Sequence, residues 1–336
     1  MTLIRPSTQA ADGGRTGRRA ATARAVALLV LVALTALVPL FGPAAALHGT
    51  GEAAAPGVGG TALLRAVLFA AVCVLVGELF VNRLSDRVPG APADPPRSWS
   101  LFAAAAGFLA ALGLASVVAT GNLVPHGLAE IDVGGLYRTR DGALALLEVD
   151  AFLMAALCAL SRRPSALAWP LAAVIVAEAL RAHPGTENDP LVGSVLTLVH
   201  LGCGALWAGG LLHTLRTLRR WRGAEAGAAL LGGYARMAAV AFAGITATGV
   251  CSALRRMPAG TVPHQLTATA YGRALLAKAV LVAGVALLAL WARFRLSRAP
   301  DPLSARVPAR AEVAVLGLVV AVSGLLTALP LPIRWT

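Results

Sequence analysis

Nine apolar segments, each close to the length of a membrane-crossing helix, recur along this chain of 336 residues. A helix needs about 20 apolar residues to cross the hydrocarbon core of a bilayer. The connections between the segments are rich in proline, glycine and arginine, which end helices. The pattern predicts an all-α fold, a polytopic membrane bundle of about nine transmembrane helices. The segments lie at about 25–46, 61–81, 99–121, 143–160, 165–182, 191–213, 228–254, 272–292 and 311–330.

Composition supports lipid as the main solvent and membrane lipid as the first partner. The chain is 57% hydrophobic and only 13% charged, whereas a soluble domain carries about 25% charged residues. The net charge of +13 does not indicate nucleic acid, because the basic residues are not gathered into one stripe with aromatic partners. They stand in short clusters between the apolar segments, where they set the orientation of a membrane protein.

The distribution of arginine and lysine predicts the topology. With the N-terminus inside, 20 of the 29 basic residues fall on the inner side, and the opposite orientation would reverse this ratio. The sequence therefore predicts a multi-pass protein of the plasma (inner) membrane with a cytoplasmic N-terminus and an outer C-terminus.

The segments divide into a tail, one helix and two larger units. Residues 1–24 are predicted to be a disordered basic cytoplasmic tail. Residues 25–46 form the first helix, a possible signal anchor, since the small residues near Ala46 also fit signal-peptidase cleavage. Residues 60–182 and 183–330 form two four-helix units with a parallel internal repeat, in which VATGN matches TATGV and VGELF matches AGGLL. Aligning Gly142 with Gly272 places Glu148 opposite Lys278.

Charged residues within apolar segments are costly and usually face the interior of the bundle. Opposite charges at similar depth can pair, so we expect the two basic residues of the outer helix halves to pair with the acids there. Glu78 and Glu312 lie near inner helix ends and are expected to reach the interface. The five charges of the outer halves are Glu148, Asp150, Glu178, Arg273 and Lys278.

Histidine placement is one-sided. Two of the six depart from the outer side: His200 lies at mid-membrane depth and His213 at the inner end of the same helix. Imidazole is the commonest metal ligand, but a solvated loop histidine, or a neutral His200 bonded to a neighbouring helix, remains an open alternative. The four outer histidines are His48, His126, His183 and His264.

The cysteines and the known catalytic motifs give no further site. All four cysteines fall in apolar segments without a C-x-x-C motif, so we interpret them as small apolar helix residues. No G-x-x-x-x-G-K-[ST], G-x-S-x-G or H-E-x-x-H motif occurs, so the sequence predicts no enzyme.

The last four segments carry a familiar series of motifs. RAHPG is followed by LVHLGCGALWAGGLL, then by FAGITATGVCSALRR, LTATAYGRALLAK and AEVAVLGLVVAVSGLLTALP. In this order and spacing they resemble the copper resistance protein D (CopD) family of bacterial inner-membrane proteins, over about residues 180–330. The family shows Gly-His where this chain has Ala182-His183.

The resemblance implies a role in copper transport or homeostasis, usually movement of copper from the outer side into the cytoplasm, without enzyme activity. Copper would be the bound or transported ion, and a separate extracytoplasmic copper-binding protein a possible partner. Methionine is scarce, which disfavours a methionine-rich Cu(I) relay.

On this hypothesis, outer histidines capture copper and a deep histidine passes it inward, while the outer-half acids supply a negative field. Arg273 and Lys278 would hold those acids in place. Two alternatives remain open: a haem-binding redox protein, which needs two deep histidines on facing helices, and a non-transporting copper-delivery partner of an oxidase. The proposed metal residues are His183 (chiefly), His126 and His264 on the outer side, and His200 within the bundle.

Overall fold

The computed structural model describes residues 10–331 except 122, 126, 162–163, 186, 188, 222–223 and 299–305. Within these residues the fold is all-α, and eight helices are long and apolar enough to cross a membrane. The helices are α1 Ala10–Leu47, α2 Val58–Ser85, α3 Ser100–Ala119, α4 Val133–Arg138, α5 Arg140–Leu160, α6 Ala168–Arg181, α7 Pro190–Arg220, α8 Ala224–Arg256, α9 Val262–Ala268, α10 Ala270–Arg298 and α11 Arg306–Ala328.

Eight of the nine predicted segments correspond to these span-length helices, and the remaining one, 165–182, is α6. This helix has 14 residues, so it rises about 21 Å, less than the hydrocarbon thickness. The 3-10 turn Pro164–Leu167 precedes α6, and both the turn and α6 pack against α5.

The first helix is longer than predicted. It begins at Ala10, well before the predicted start at residue 25, while residues 1–9 lie outside the described part. Alanine and arginine are strong helix formers, which explains why the basic segment continues the helix. At its other end, Arg273 donates hydrogen bonds to the carbonyl oxygens of Ala46 and His48, so α1 is tied to α10.

The remaining helices form two units in the same chain order, α2–α6 (the first unit) and α7–α11 (the second unit). In each, a short helix leads into a long one through a threonine cap. Thr139 accepts a hydrogen bond from the backbone N–H of Gly142 at 3.1 Å, and Thr269 from that of Gly272 at 3.0 Å. A side chain at either glycine would collide with the backbone of the preceding short helix.

The units meet where α2 crosses α7. A Cβ on Gly77 would collide with the backbone of Gly209, and a Cβ on Gly209 with the carbonyl of Cys73. Small residues of this kind let membrane helices approach to backbone contact. Across this crossing α6 packs on α7 and α11 packs on α2, the exchange expected of two parallel units related by a two-fold axis.

The units differ in how they close. In the first unit α3 packs along α5 around the fully buried Phe152, whose ring lies against Gly107. In the second unit the corresponding α8 and α10 make no extensive contact in the described residues; α8 rests on α7 and α2, and α10 on α11, α9 and α1. This opening is called the α8/α10 seam below.

Candidate functional site

His200 lies in the second unit, on the face of α7 that meets α8. It is ten residues beyond Pro190, about 15 Å from the end of the bundle that carries α4 and α9 (the α4/α9 end). Its Nδ1 is 3.0 Å from Thr248 Oγ1. The Thr248 hydroxyl donates to the carbonyl of Gly244 at 2.6 Å, so its oxygen accepts from the His200 Nδ1–H. This assigns the neutral tautomer and directs the Nε2 lone pair elsewhere.

Cys203 lies one helical turn from His200 on the same face. A Cβ on Gly244 would come 2.9 Å from its Sγ, and a Cβ on Gly249 3.6 Å from His200 Cε1. Two α8 glycines thus allow α8 to pack closely over both side chains. Sequence reasoning treated Cys203 as a small apolar residue, although the His-x-x-Cys spacing, which places both on one helix face, was a usable signal.

Lys278 of α10 approaches the same region from the side of the seam. Its charge acts electrostatically on His200, and its side chain is half-buried. No acid pairs with it among the described residues. The expected pairing of Lys278 with the outer-half acids is therefore wrong for this structure.

The acids pair instead within the first unit. Arg181 Nη1 is 2.5 Å from Glu148 Oε2, and Arg65 Nη1 is 2.5 Å from Glu178 Oε2. Arg273, expected to pair with them, donates to backbone carbonyls, including that of Thr267 at 2.8 Å.

These two carboxylates are neutralised by guanidinium groups and do not border His200. The expected negative field along a histidine path is therefore not what the structure shows for Glu148 and Glu178. Asp150, the third acid, is exposed on the outside of α5.

His183 is enclosed rather than open to capture metal. Its side chain is buried, 3% of the residue being exposed, with Nδ1 2.6 Å from Glu187 Oε2 and Nε2 2.9 Å from Thr197 Oγ1. Both ring nitrogens are therefore engaged in this conformation, and the ring joins the α6–α7 connection to α7.

The other two outer candidates differ in what can be said of them. His264 is exposed on α9 at the α4/α9 end, and His126 lies outside the described residues. No cluster of three or more His, Cys, Asp or Glu side chains suited to a metal ion occurs in the part of the chain that the structure describes.

A second polar cluster fills the α2/α7 interface at the opposite end. His213 Nε2 is 3.0 Å from Asn82 Oδ1, and the Arg216 guanidinium stacks 3.6 Å from the centre of the Trp99 ring. The backbone N–H of Trp99 donates to Glu78 Oε2 at 3.0 Å. His213 is thus engaged far from His200, and in the described residues no second deep histidine faces His200, as a two-histidine haem site would need.

Glu78 and Glu312 are both buried, so the expectation that they reach the interface is wrong. The Trp207 indole donates a hydrogen bond to Glu312, and the Tyr234 hydroxyl donates to the Trp207 carbonyl at 2.8 Å. Side-chain partners inside the bundle therefore replace contact with the aqueous interface.

Comparison with known proteins locates a family signature in the second unit. Residues 228–326, from α8 to α11, match the family model described as Copper resistance protein D. The match begins after α7, so His200 and Cys203 precede it. No curated protein and no solved structure matches the chain.

Proposed function

We propose, from the match of residues 228–326 to the copper resistance protein D family, that this chain carries copper through the membrane from the outer side to the cytoplasm. Family and span-length helices make it a membrane protein of copper resistance. One observation carries the finer proposal: His200, about 15 Å deep in the bundle, has its ring held by Thr248 on the face of α7 that also carries Cys203.

The donor atoms along the α7/α8 interface suit Cu(I). Imidazole and thiolate bind this soft ion well, and His200 and Cys203 offer both on one face of α7. Met237 follows further along the interface, since a Cβ on Gly210 would come 3.5 Å from its Cε. Copper would pass along this column, with the Cys203 thiol losing its proton on binding.

The proposed direction is the one that the resemblance to the copper resistance protein D family implies. The positive-inside pattern places the α4/α9 end outside, so copper would enter at the end where His264 is exposed. A separate extracytoplasmic copper-binding protein would deliver it there. The chain would act without enzymatic chemistry.

Uptake into liposomes that contain only this protein tests the proposal. Cu(I) added outside would quench a copper-sensitive dye inside, and the wild type should do so faster than empty liposomes. His200→Ala and Cys203→Ser should lower the initial rate by about tenfold or more, because each removes a donor atom, and Thr248→Val by about tenfold, because it releases the imidazole orientation.

His48→Ala is the matched control, since this histidine is exposed and its side chain lies outside the column. It should leave uptake unchanged. Wild-type uptake no faster than that of empty liposomes would overturn transport and leave the copper-delivery alternative. Wild-type rates in both His200→Ala and Cys203→Ser would overturn the assigned path.

A further inference from the structure

Lys278 is the only lysine of the chain, and every other of the 29 basic residues is an arginine. Where a basic residue meets an acid deep in the first unit, the chain uses arginine, as in Arg65 with Glu178 and Arg181 with Glu148. The planar guanidinium group matches a carboxylate, whereas the ammonium group of lysine is a compact point charge with three donors. The single lysine therefore stands out from the basic residues that pair with carboxylates.

Lys278 faces the interior of the second unit. Ala274 and Val285 are buried on the same face of α10, while Leu276 and Val280 are exposed on the opposite face. The ammonium group therefore lies within the bundle and not among the lipid chains, where a charge without compensation is costly.

The chain supplies no carboxylate at the level of Lys278. Helices α7–α11 contain two acids in their sequence, Glu225 and Glu312, and Glu225 lies in the first turn of α8, at the opposite end of the bundle. Glu312 lies sixteen residues before Ala328, the last residue of α11, so it is about 24 Å from the α4/α9 end. Lys278 is eight residues from the start of α10, about 12 Å from that end. The deep acids of the first unit are already paired with arginines, so the ammonium group lacks a counter-ion from the described residues.

Open space lies beside this charge. Lys278 acts electrostatically on His200, and a Cβ on Gly204, one turn further along α7, would meet nothing within 4 Å. In the described residues α10 makes no extensive contact with α7 or α8. Two turns beyond Lys278, the fully buried Val285 joins an apolar cluster with Trp207, which closes the space on that side. The result is an apolar space with one ammonium group at its edge.

We propose that the ammonium group of Lys278 binds a small monovalent anion, such as chloride, in the space between α7, α8 and α10 beside His200. One bound unit charge compensates the ammonium group, and a buried charge is costly unless it is paired. A divalent sulfate would remain half compensated at this single cation, so the site should favour the monovalent ion. The proposal does not rest on copper transport.

NMR on copper-free protein in nanodiscs measures binding directly. Lysine labelled with ¹³C at Cε gives one side-chain signal, because Lys278 is the only lysine. The protein is titrated with potassium chloride, potassium sulfate or potassium gluconate at equal ionic strength. The signal should shift to a plateau in chloride, shift less in sulfate and stay in place in gluconate. A signal that does not move in chloride, or moves as far in sulfate or gluconate, would overturn the proposal.

Thermal unfolding in chloride and in gluconate tests whether Lys278 is the site. An anion that binds only the folded state raises the midpoint by about 2–4 °C for each tenfold increase above saturation. Lys278→Met should lose this chloride-specific rise, and in gluconate it should be at least as stable as the wild type, because it removes an uncompensated charge. Arg236→Met, at an exposed arginine of α8, is the matched control and should keep the rise.

A chloride-specific rise that persists in Lys278→Met, or that Arg236→Met removes, would contradict the assignment. If Lys278→Met does not fold, the NMR titration of the wild type still decides the question. Neither measurement contains copper, so failure of the proposed copper uptake would leave both results unchanged.

Discussion

Two ion pairs in the first unit occupy the region where the second unit holds a single lysine. Glu148 is fully buried, and its Oε1 has no hydrogen-bond partner, so Arg181 is its main compensation. Arg65 likewise compensates the charge of Glu178. Buried pairs of this kind contribute little net stability, but the loss of one partner strands the other charge. We therefore regard these four residues as a fixed part of the first unit rather than a route for ions.

Arg181→Met should lower the free energy of unfolding by about 3–5 kcal/mol, because it leaves Glu148 buried and uncompensated. Glu148→Gln combined with Arg181→Met should recover most of the loss. Thermal or detergent-induced unfolding in micelles measures both. Arg138→Met, at an exposed arginine of α4, provides the reference, and equal stability of Arg181→Met and this reference would contradict the assigned role.

At the scale of the elements, the apolar segments predicted the long helices well, because a chain in lipid must satisfy its backbone hydrogen bonds within each helix. The short α4 and α9 were missed, since six and seven residues are too few for a periodic pattern. Their visible signals were Asp132, which accepts from Gly135 N–H, and the cap threonines that follow.

Pairing between helices was predicted poorly. Arg65 and Arg181 lie on helices that neighbour those of Glu178 and Glu148, whereas Arg273 and Lys278 lie on a helix of the second unit. The position of a residue along its helix does not by itself show which basic residue faces which acid. The rotation of each helix about its axis decides this, and it is set by packing such as the contact of Gly77 with Gly209. For the same reason the sequence shows that His200 and Cys203 share one face of α7, but it does not show which helix that face contacts.

Gly209→Ala should destabilise the protein by about 1–3 kcal/mol, because its methyl group would collide with the carbonyl of Cys73 and push α2 from α7. Gly204→Ala on the same helix meets nothing within 4 Å and should be neutral or stabilising through its better helix propensity. Thermal unfolding of the two variants side by side makes the comparison. Equal effects would mean that backbone contact at the crossing is not limiting.

For the molecule as a whole, the two units share an order of helices but not a degree of closure. The first unit has a continuous core over α2, α3, α5 and α6, while the second has the open seam, His200 and the whole of the family match. We therefore expect the framework of the first unit and the proposed copper path of the second unit to be separable properties. Both units should persist if the covalent link between them is lost after folding.

A protease site inserted after Gly185, in the connection between α6 and α7, tests this. A Cβ on Gly185 would meet nothing within 4 Å, so the insertion has room. After cleavage in the membrane, the two fragments should co-purify and retain the proposed copper uptake, because α2/α7, α6/α7 and α11/α2 contacts hold them together. Fragments that separate on size-exclusion chromatography would show that the link itself maintains the assembly.

The crossing of α2 and α7 at Gly77 and Gly209 joins two units that belong to one polypeptide, and this affects which residues the two units can carry. Two identical four-helix subunits meeting at that axis would carry the same side chain at every equivalent position, so a charge useful in one half would be imposed on the other. Because both halves share one polypeptide, the equivalent positions on α5 and α10 can hold Glu148 and Lys278. A single chain can therefore carry opposite charges at equivalent positions of its two units, whereas a homodimer of identical subunits cannot.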